Sequence, residues 1–263
     1  MHPGAAAVPI PAFPREGKEA KPAGGSLRER VRSASQAELD GVPWLRTLAP
    51  AERDRAEAAI VVGDAEPGDL VCRVGRPPTY WFGVIEGLLK MSKDNADGSS
   101  MTYSGLPPGG WFGEGTALKR EPYRYDIQAL RASVVAGLPI DDFHWLLDHS
   151  IGFNRFVMNQ LNERLAQFIA AREADRLNNP DARVARNLAQ LFNPVLFPGV
   201  GQLLRITQQE LAYLVGLSRQ RVNEALRTLQ ARGAIAVEYG GVRVLDLQAL
   251  RSGGAAEPEG QGR

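Results

Sequence analysis

The sequence predicts an α+β chain in three parts: an N-terminal β jelly-roll domain, a long helix, and a C-terminal winged helix-turn-helix. Short runs of strand-forming residues, separated by Gly, Pro and Asn/Asp turns, fill residues 60–140 and predict the β domain. An apolar seam at helical spacing follows over residues 152–177. Two capped helices around a glycine and then a glycine-linked hairpin predict the last part.

Composition and charge limit the class of protein. The 263 residues, with 44% hydrophobic content, suffice for two compact domains. The net charge is +1, but residues 179–251 carry +4 and the rest carries −3, which is typical of a separate basic domain. The single cysteine, Cys72, excludes an intrachain disulfide and a four-cysteine iron–sulfur cluster, and it indicates a reducing, cytoplasmic compartment. No apolar run has the length of a membrane span, so no membrane partner is expected.

Changes in composition predict the domain limits. Residues 1–25 are rich in Ala, Pro and Gly without a signal peptide's apolar centre, and residues 252–263 are similar, so both are expected to be disordered tails. Residues 26–150 are expected to form the β domain, in which a helix from Pro50 to about Ala59 precedes the strands. The predicted strands cover residues 69–74, 80–85, 88–92, 101–106, 125–130 and 133–138, with a hairpin turn at 95–98 and a short helix at 141–147.

Residues 151–178 are predicted to form a long dimerisation helix. Its apolar residues recur at spacings of three and four, at Met158, Leu161, Leu165 and Phe168. A seam without a neighbouring helix in the sequence favours a two-stranded coiled coil. The alternative is a helix packed on its own domain, which is expected for Phe153 and Phe156 at its start. Pro180 ends the helix and marks a hinge.

Residues 179–251 are predicted to form the winged helix-turn-helix domain. Thr207 and Glu210 have the spacing of a capping box, so a short helix begins there. Gly216 stops this helix and Ser218 caps a second one. The second helix directs apolar residues inward, at Val222, Ala225, Leu226 and Leu229. Two short strands around Gly240-Gly241 predict the hairpin wing.

The outer face of the second helix has the chemistry of base recognition, because Arg, Gln and Asn pair bidentately with guanine and adenine in the major groove. Base contacts are expected from Arg219, Gln220 and Asn223, and base or phosphate contacts from Arg221 and Arg227. The remaining residues expected at this surface are Thr207, Gln208 and Ser218. An ordinary helical hairpin with solvated charges is the alternative, but two turns are short for a bundle helix. The sequence therefore predicts a domain that binds double-stranded DNA.

The sequence lacks the residues of catalytic and metal sites. A jelly-roll metal enzyme needs two or three histidines inside the barrel, whereas His2, His144 and His149 all lie outside residues 60–140. The chain has no Walker-A loop, G-x-S-x-G elbow or Ser-His-Asp order. No catalytic residue and no metal ligand is assigned, and an enzyme is not expected.

The helix-turn-helix residues resemble the Crp/Fnr family of bacterial transcription regulators. The matching positions are Ile206, Thr207, Glu210, Leu211, Ala212, Gly216, Leu217, Ser218, Arg219, Val222, Leu226, Leu229, Gly233 and Ile235. The resemblance implies a sensor role for the jelly roll, a homodimer joined by the long helix, a pseudo-palindromic operator and RNA polymerase as a partner. Gln220 and Glu224 stand where better-known members have Glu and Arg, so a different half-site is expected. The alternative function is a cyclic-nucleotide-binding module whose C-terminal domain contacts protein instead of DNA.

The family's phosphate-binding cassette has a counterpart in this chain. Gly113 and Glu114 match the Gly-Glu pair at the start of a short helix, and Arg124 matches the arginine about ten residues later. The resemblance implies that backbone amides and the arginine bind a cyclic phosphate, while the glutamate binds a ribose hydroxyl.

Several departures from the family pattern argue against a working pocket. Gly115 replaces Leu, Tyr125 replaces a small hydroxyl residue, and Asp126 replaces Ala. The Tyr125 ring is expected to fill the pocket, and Asp126 to share a strand face with Arg124, where it pairs with the arginine or repels a phosphate. The matching part of the long helix, at residues 168–170, offers a purine no side-chain donor. The pocket is therefore expected to bind a cyclic nucleotide weakly, another small effector, or nothing, with DNA binding that does not require cyclic AMP.

Overall fold

The computed structural model describes residues 31–94, 100–174 and 179–253. The predicted tails, apart from Ser252 and Gly253, lie outside these residues. So do the predicted turn at 95–98 and the predicted end of the long helix at 175–178. Along the described parts of the chain, every helix is too short or too polar to cross a lipid bilayer.

Short helices lead into the β domain. They are α1 (Gln36–Asp40), a 3-10 helix (Pro43–Thr47) and α2 (Pro50–Ala59). Helix α2 has the predicted limits, because Pro50 suits the first turn and Glu52 accepts a hydrogen bond from the Ala49 N–H. A short strand that the sequence did not predict, β1 (Arg32–Ser33), pairs with β2 (Val61–Ala65).

The β domain is a jelly roll of two antiparallel sheets, as predicted. Its remaining strands are β3 (Leu70–Cys72), β4 (Tyr80–Glu86), β5 (Leu89–Asp94), β6 (Ser100–Leu106), β7 (Trp111–Phe112), β8 (Asp126–Ala129) and β9 (Ser133–Pro139). Within the described residues, one sheet has the order β1-β2-β9-β4-β7 and the other β3-β8-β5-β6. Alternating buried side chains fill the space between the sheets, including Phe82, Val84, Phe112 and Ile127.

Aromatic packing fixes the start of the long helix, α5 (Ile151–Ala174), on the jelly roll. Phe153 is fully buried, and its ring lies 5.2 Å from Trp44 and 5.6 Å from Trp81, between centroids. Two shorter helices, α3 (Glu114–Lys119) and α4 (Ile140–His149), flank this contact. The prediction that Phe153 and Phe156 pack on their own domain is confirmed.

The rest of the predicted seam on α5 is mostly exposed. Met158, Leu165 and Phe168 are 59%, 58% and 51% exposed, and neighbouring Ile169 is 56% exposed. Leu161 differs, because it is half-buried against the aromatic cluster of its own domain. An apolar stripe of this kind in water indicates a partner surface rather than a solvated face.

The C-terminal domain is a winged helix-turn-helix, as predicted. Its elements are α6 (Pro180–Leu191), β10 (Leu203–Arg205), α7 (Gln208–Val215), α8 (Arg219–Ala231), β11 (Ile235–Glu238), β12 (Gly241–Val244) and α9 (Leu247–Arg251). The strands form an antiparallel sheet in the order β10-β12-β11, and α9 was not predicted. Val184, Leu188 and Leu191 of α6 are buried against the helix-turn-helix, as their spacing predicts.

The two domains of one chain are packed together. A single hydrophobic cluster includes Leu106 of the jelly roll and Leu191, Phe197 and Leu214 of the C-terminal domain. Arg131, in the turn between β8 and β9, donates to the Arg205 carbonyl at 2.6 Å and lies 3.7 Å from the Glu210 carboxylate. These contacts hold α7 and α8 in a defined position relative to the jelly roll.

Candidate nucleic-acid interface and effector pocket

Local sequence signals build the helix-turn-helix. Thr207 Oγ1 accepts from the Glu210 N–H at 3.1 Å, and Glu210 Oε2 accepts from the Thr207 N–H at 2.7 Å, which completes the predicted capping box. Gly216 has φ = 64°, a left-handed conformation that favours glycine and ends α7. Ser218 Oγ accepts from the Arg221 N–H at 3.2 Å and caps α8.

Helix α8 separates a buried face from an exposed one. Val222, Ala225, Leu226 and Leu229 are buried. At 100° per residue, the opposite side of the helix presents Gln220, Glu224 and Arg227, and all three are exposed. Arg219 is also exposed, at the first position of the helix.

The arginines of α8 differ in how they are held. Among the described residues, no hydrogen bond or ion pair holds Arg219 or Arg227. Arg221 is held twice, with Nη1 2.8 Å from Glu224 Oε2 and Nη2 3.0 Å from Asp181 Oδ1 of α6. Arg219 and Arg227 are thus free to meet a polyanion, whereas Arg221 already contacts two carboxylates.

Amide side chains on the same surface are also oriented. Gln208 Nε2, at the start of α7, donates to Asn223 Oδ1 at 3.2 Å, and Gln220 Nε2 donates to Glu224 Oε1 at 3.4 Å. A groove of about 440 Å³ separates α7 and α8 from the wing, and its walls include Thr207, Gln208 and Arg219. Of the predicted surface residues, Thr207, Gln208, Arg219 and Asn223 are therefore brought together on one side of the domain.

The cassette in the jelly roll contains a buried ion pair. Gly113 precedes α3, and the carboxylate of Glu114 is almost fully buried at its first position. Arg164 reaches it from α5, with Nε 3.1 Å from Glu114 Oε1, and the guanidinium also donates to the Trp111 carbonyl. The sequence analysis missed Arg164, because an arginine within a polar stretch of a long helix carries no signal of where it points.

Tyr125 lies beside the start of α3. Its hydroxyl oxygen is 3.7 Å from the position that a Cβ on Gly113 would occupy, and its side chain hydrogen-bonds with that of Thr116. Burial, reinforced by the negative charge of Glu114, raises the pKa of Tyr125 from 10 to about 12. The phenol is consequently neutral at physiological pH.

Arg124 points away from Glu114. Its side chain is 80% exposed, and its Nη2 pairs with Glu121 at 3.1 Å. The expectation that Arg124 and Asp126 share a strand face is wrong, because β8 begins only at Asp126. Asp126 instead accepts a hydrogen bond from the Val74 N–H at 2.8 Å, so it neither pairs with Arg124 nor faces the cassette glycine.

Comparison with known proteins matches both domains. Residues 64–150 match the model of the cyclic nucleotide-binding domain, and residues 182–252 match that of the Crp-like helix-turn-helix domain. The transcriptional regulator SdrP of Thermus thermophilus is 30% identical over 202 residues, which cover 74% of this chain and 94% of that protein. The chain belongs to the Crp/Fnr family.

Another relative and two solved structures are also similar to this chain. A CRP-like cAMP-activated global transcriptional regulator of Mycobacterium tuberculosis is 27% identical, over 71% of this chain and 85% of that one. A solved CRP-family transcriptional regulator from Thermus thermophilus superposes with a TM-score of 0.50 at 25% identity, covering 73% of this chain and 97% of that one. FixK2 from Bradyrhizobium japonicum has the same fold, with a TM-score of 0.56 at 16% identity over 76% and 99% of the two chains.

Family membership decides the general function. The chain is a DNA-binding transcription regulator of the Crp/Fnr type, with a domain of the cyclic nucleotide-binding fold ahead of its helix-turn-helix. The family consists of transcription regulators rather than enzymes.

Proposed function

We propose that this Crp/Fnr regulator is a homodimer that binds a pseudo-palindromic operator without needing cyclic AMP. The exposed guanidiniums of Arg219 and Arg227 on α8, which no hydrogen bond or ion pair holds within the described part of the chain, carry the DNA-binding part of the proposal. Arg219, Gln220 and Asn223 read bases, while Arg227 contacts a base or a phosphate. Thr207, Gln208 and Ser218 lie at the adjoining helix starts, where backbone amides favour phosphate contacts.

The exposed stripe on α5 supports the dimer. Met158, Leu165, Phe168 and Ile169 are all more than half exposed, and burying such apolar surface against a second copy stabilises association. A two-stranded coiled coil through this stripe would place two α8 helices about 34 Å apart, one turn of DNA. RNA polymerase is the expected partner of the DNA-bound dimer.

The independence from cyclic AMP rests on the pocket. An anionic ligand that leaves water needs a cationic or hydrogen-bonding partner. Arg124 pairs with Glu121 at the surface, Arg164 is committed to Glu114, and the Tyr125 phenol lies beside the cassette glycine. These residues in this arrangement do not fit a cyclic phosphate, and any effector that displaces Tyr125 would be a different small molecule.

Selection from random double-stranded DNA, with and without cyclic AMP, tests the proposal. We expect a two-fold-symmetric site of the same sequence under both conditions, and calorimetry with cyclic AMP alone is expected to give no tight binding. A site that is selected only with cyclic AMP, or a tight calorimetric signal that disappears in Arg124→Ala, would contradict the independence. Failure to select any site would favour the alternative, a sensor module whose C-terminal domain contacts protein.

A further inference from the structure

The exposed side of α8 has a carboxylate near its centre. Glu224 lies almost opposite the buried face of the helix, one turn after Gln220, and its side chain is 46% exposed. A surface that meets the phosphates of DNA normally excludes such a group, because like charges repel. The negative charge of Glu224 at this position therefore indicates a specific role for its carboxylate.

Arg221 neutralises and orients this carboxylate. Its Nη1 is 2.8 Å from Glu224 Oε2, while Gln220 Nε2 is 3.4 Å from the other oxygen, Oε1. The hydrogen bond from Arg221 lowers the pKa of Glu224, so the group stays ionised and can only accept hydrogen bonds.

Asp181 fixes Arg221 from the other side. The carboxylate lies in the first turn of α6, and its Oδ1 is 3.0 Å from Arg221 Nη2. Asp181 and Arg221 are 18% and 37% exposed, so this contact is drier than the one with Glu224. The guanidinium of Arg221 therefore joins α6 to α8, which leaves it poorly placed to contact a phosphate.

We propose that Glu224 reads a cytosine in the operator and that Arg221, anchored by Asp181, is the positioning residue that holds it. In the major groove cytosine presents only the N4 amino donor, which an ionised carboxylate accepts. Adenine also presents a donor, but its N7 acceptor beside it repels a carboxylate. The proposal rests on the proposed function, since it assigns one base within the same operator.

Selection from random DNA with the full-length chain tests the assignment at Glu224. The parent is expected to select cytosine at one position of each half-site, with a preference of about fivefold to 150-fold over other bases. Glu224→Ala removes the preference at that position only, and Glu224→Gln changes it toward adenine, because an amide pairs bidentately with that base. Glu57→Gln is the matched control, since it removes one charge from a half-buried Arg–Glu pair on α2, far from α8 in the sequence, and should leave the selected site unchanged.

Two further variants separate positioning from phosphate binding. Arg221→Ala and Asp181→Asn should both weaken the cytosine preference severalfold, with an unchanged salt dependence of non-specific binding. Thermal melting of each variant near the parental temperature establishes that the domain is folded.

The outcomes distinguish a failure of cytosine recognition by Glu224 from a failure of the proposed DNA-binding function. If the parent selects no site at all, the proposed DNA-binding function fails. If the parent selects a site and Glu224→Ala selects the same bases with the same preference at every position, the assignment of Glu224 is overturned. If Arg221→Ala weakens binding to all sequences and lowers the salt slope by about 0.9, Arg221 is a phosphate contact and not a positioning residue.

Discussion

Tyr125 is the residue that most distinguishes the sensor-like pocket from a phosphate site. Its ring packs 6.1 Å from that of Tyr123, between centroids, and its hydroxyl lies beside the glycine that precedes α3. An uncharged phenol there hydrogen-bonds with Thr116 but supplies no positive charge. A side chain of the protein itself thus lies next to the cassette glycine.

Replacement of Tyr125 by Phe tests this environment through pH. The folded-state pKa of about 12 is above the ordinary value of 10, so the neutral phenol stabilises the fold. This contribution is fully present below pH 10 and is lost as the pH rises from about 10 through about 12. The urea midpoint of the parent is therefore expected to fall more steeply over this interval than that of Tyr125→Phe.

Ultraviolet titration of tyrosinate provides the direct measurement. The parent should contain a phenol that ionises near pH 12, and Tyr125→Phe should lack it. If the phenol that Tyr125→Phe lacks ionises near pH 10 instead, Tyr125 lies in water, and the explanation of a filled pocket would then fail.

At the scale of elements, helix α5 packs on the jelly roll at its start and exposes apolar side chains further along. Its start is buried in the aromatic cluster around Phe153, whereas Leu165 and Phe168 further along are more than half exposed. Arg164 lies between them in the helix and points into the jelly roll toward Glu114. One helix therefore contacts the pocket on one side and presents an apolar stripe on another.

Charged residues in the stripe are expected to abolish dimerisation. Leu165→Glu combined with Phe168→Glu places four like charges in a two-stranded interface, whose burial without partners is costly. Sedimentation should show a monomer with the circular dichroism of the parent. Leu161 is unsuitable for this test because it packs partly on its own domain.

Leu245→Glu is the control for the loss of an exposed apolar side chain. Leu245 is 59% exposed, close to the 58% of Leu165, but it follows the wing rather than α5. This variant should remain a dimer. A dimer that survives the double substitution in α5 would show that the interface is elsewhere.

In the whole molecule, contacts between the jelly roll and the C-terminal domain determine where α7 and α8 lie. The loop before β10 touches the turn before β7 through backbone atoms: a Cβ on Gly199 would be 2.8 Å from the Pro108 carbonyl oxygen. Thr102 Oγ1 also donates to the Tyr213 carbonyl at 3.4 Å, and Gln160 Nε2 to the Val195 carbonyl at 2.8 Å. Together with Arg131, these contacts join the jelly roll and α5 to the C-terminal domain.

Gly199→Ala is expected to loosen this packing. The added methyl group meets backbone that cannot move aside easily, so the cost is on the order of 1–3 kcal/mol. Hydrogen exchange should accelerate at the amides of Gly109 and Gly110 and in the loop at 193–202, with little change in α8. Gly115→Ala, whose Cβ would meet nothing within 4 Å, is the matched control. Unchanged exchange in Gly199→Ala would mean that the loop is not held by the jelly roll.

Most helices and strands could be predicted from local sequence patterns, and the family from the residues of the helix-turn-helix. Capping residues, turn glycines and apolar spacing are local signals, and they predicted α2, α7, α8 and the wing, because each depends on residues within one or two turns. The exposed face of α8 could be predicted for the same reason, since helical periodicity alone separates Val222 from Gln220.

The partners of the charged side chains could not be predicted from local patterns, because many of these ion pairs join residues far apart in the sequence. Arg164 and Glu114 are separated by 50 residues, and Arg221 and Asp181 by 40, so no local pattern relates them. The sequence predicted that Arg124 and Asp126 share a strand face, but β8 begins at Asp126 and does not include Arg124. Arg124 pairs with Glu121, and Asp126 accepts a hydrogen bond from the Val74 N–H. Long-range ion pairs depend on how separate elements are packed, because a side chain pairs with whichever charge the fold brings within about 4 Å.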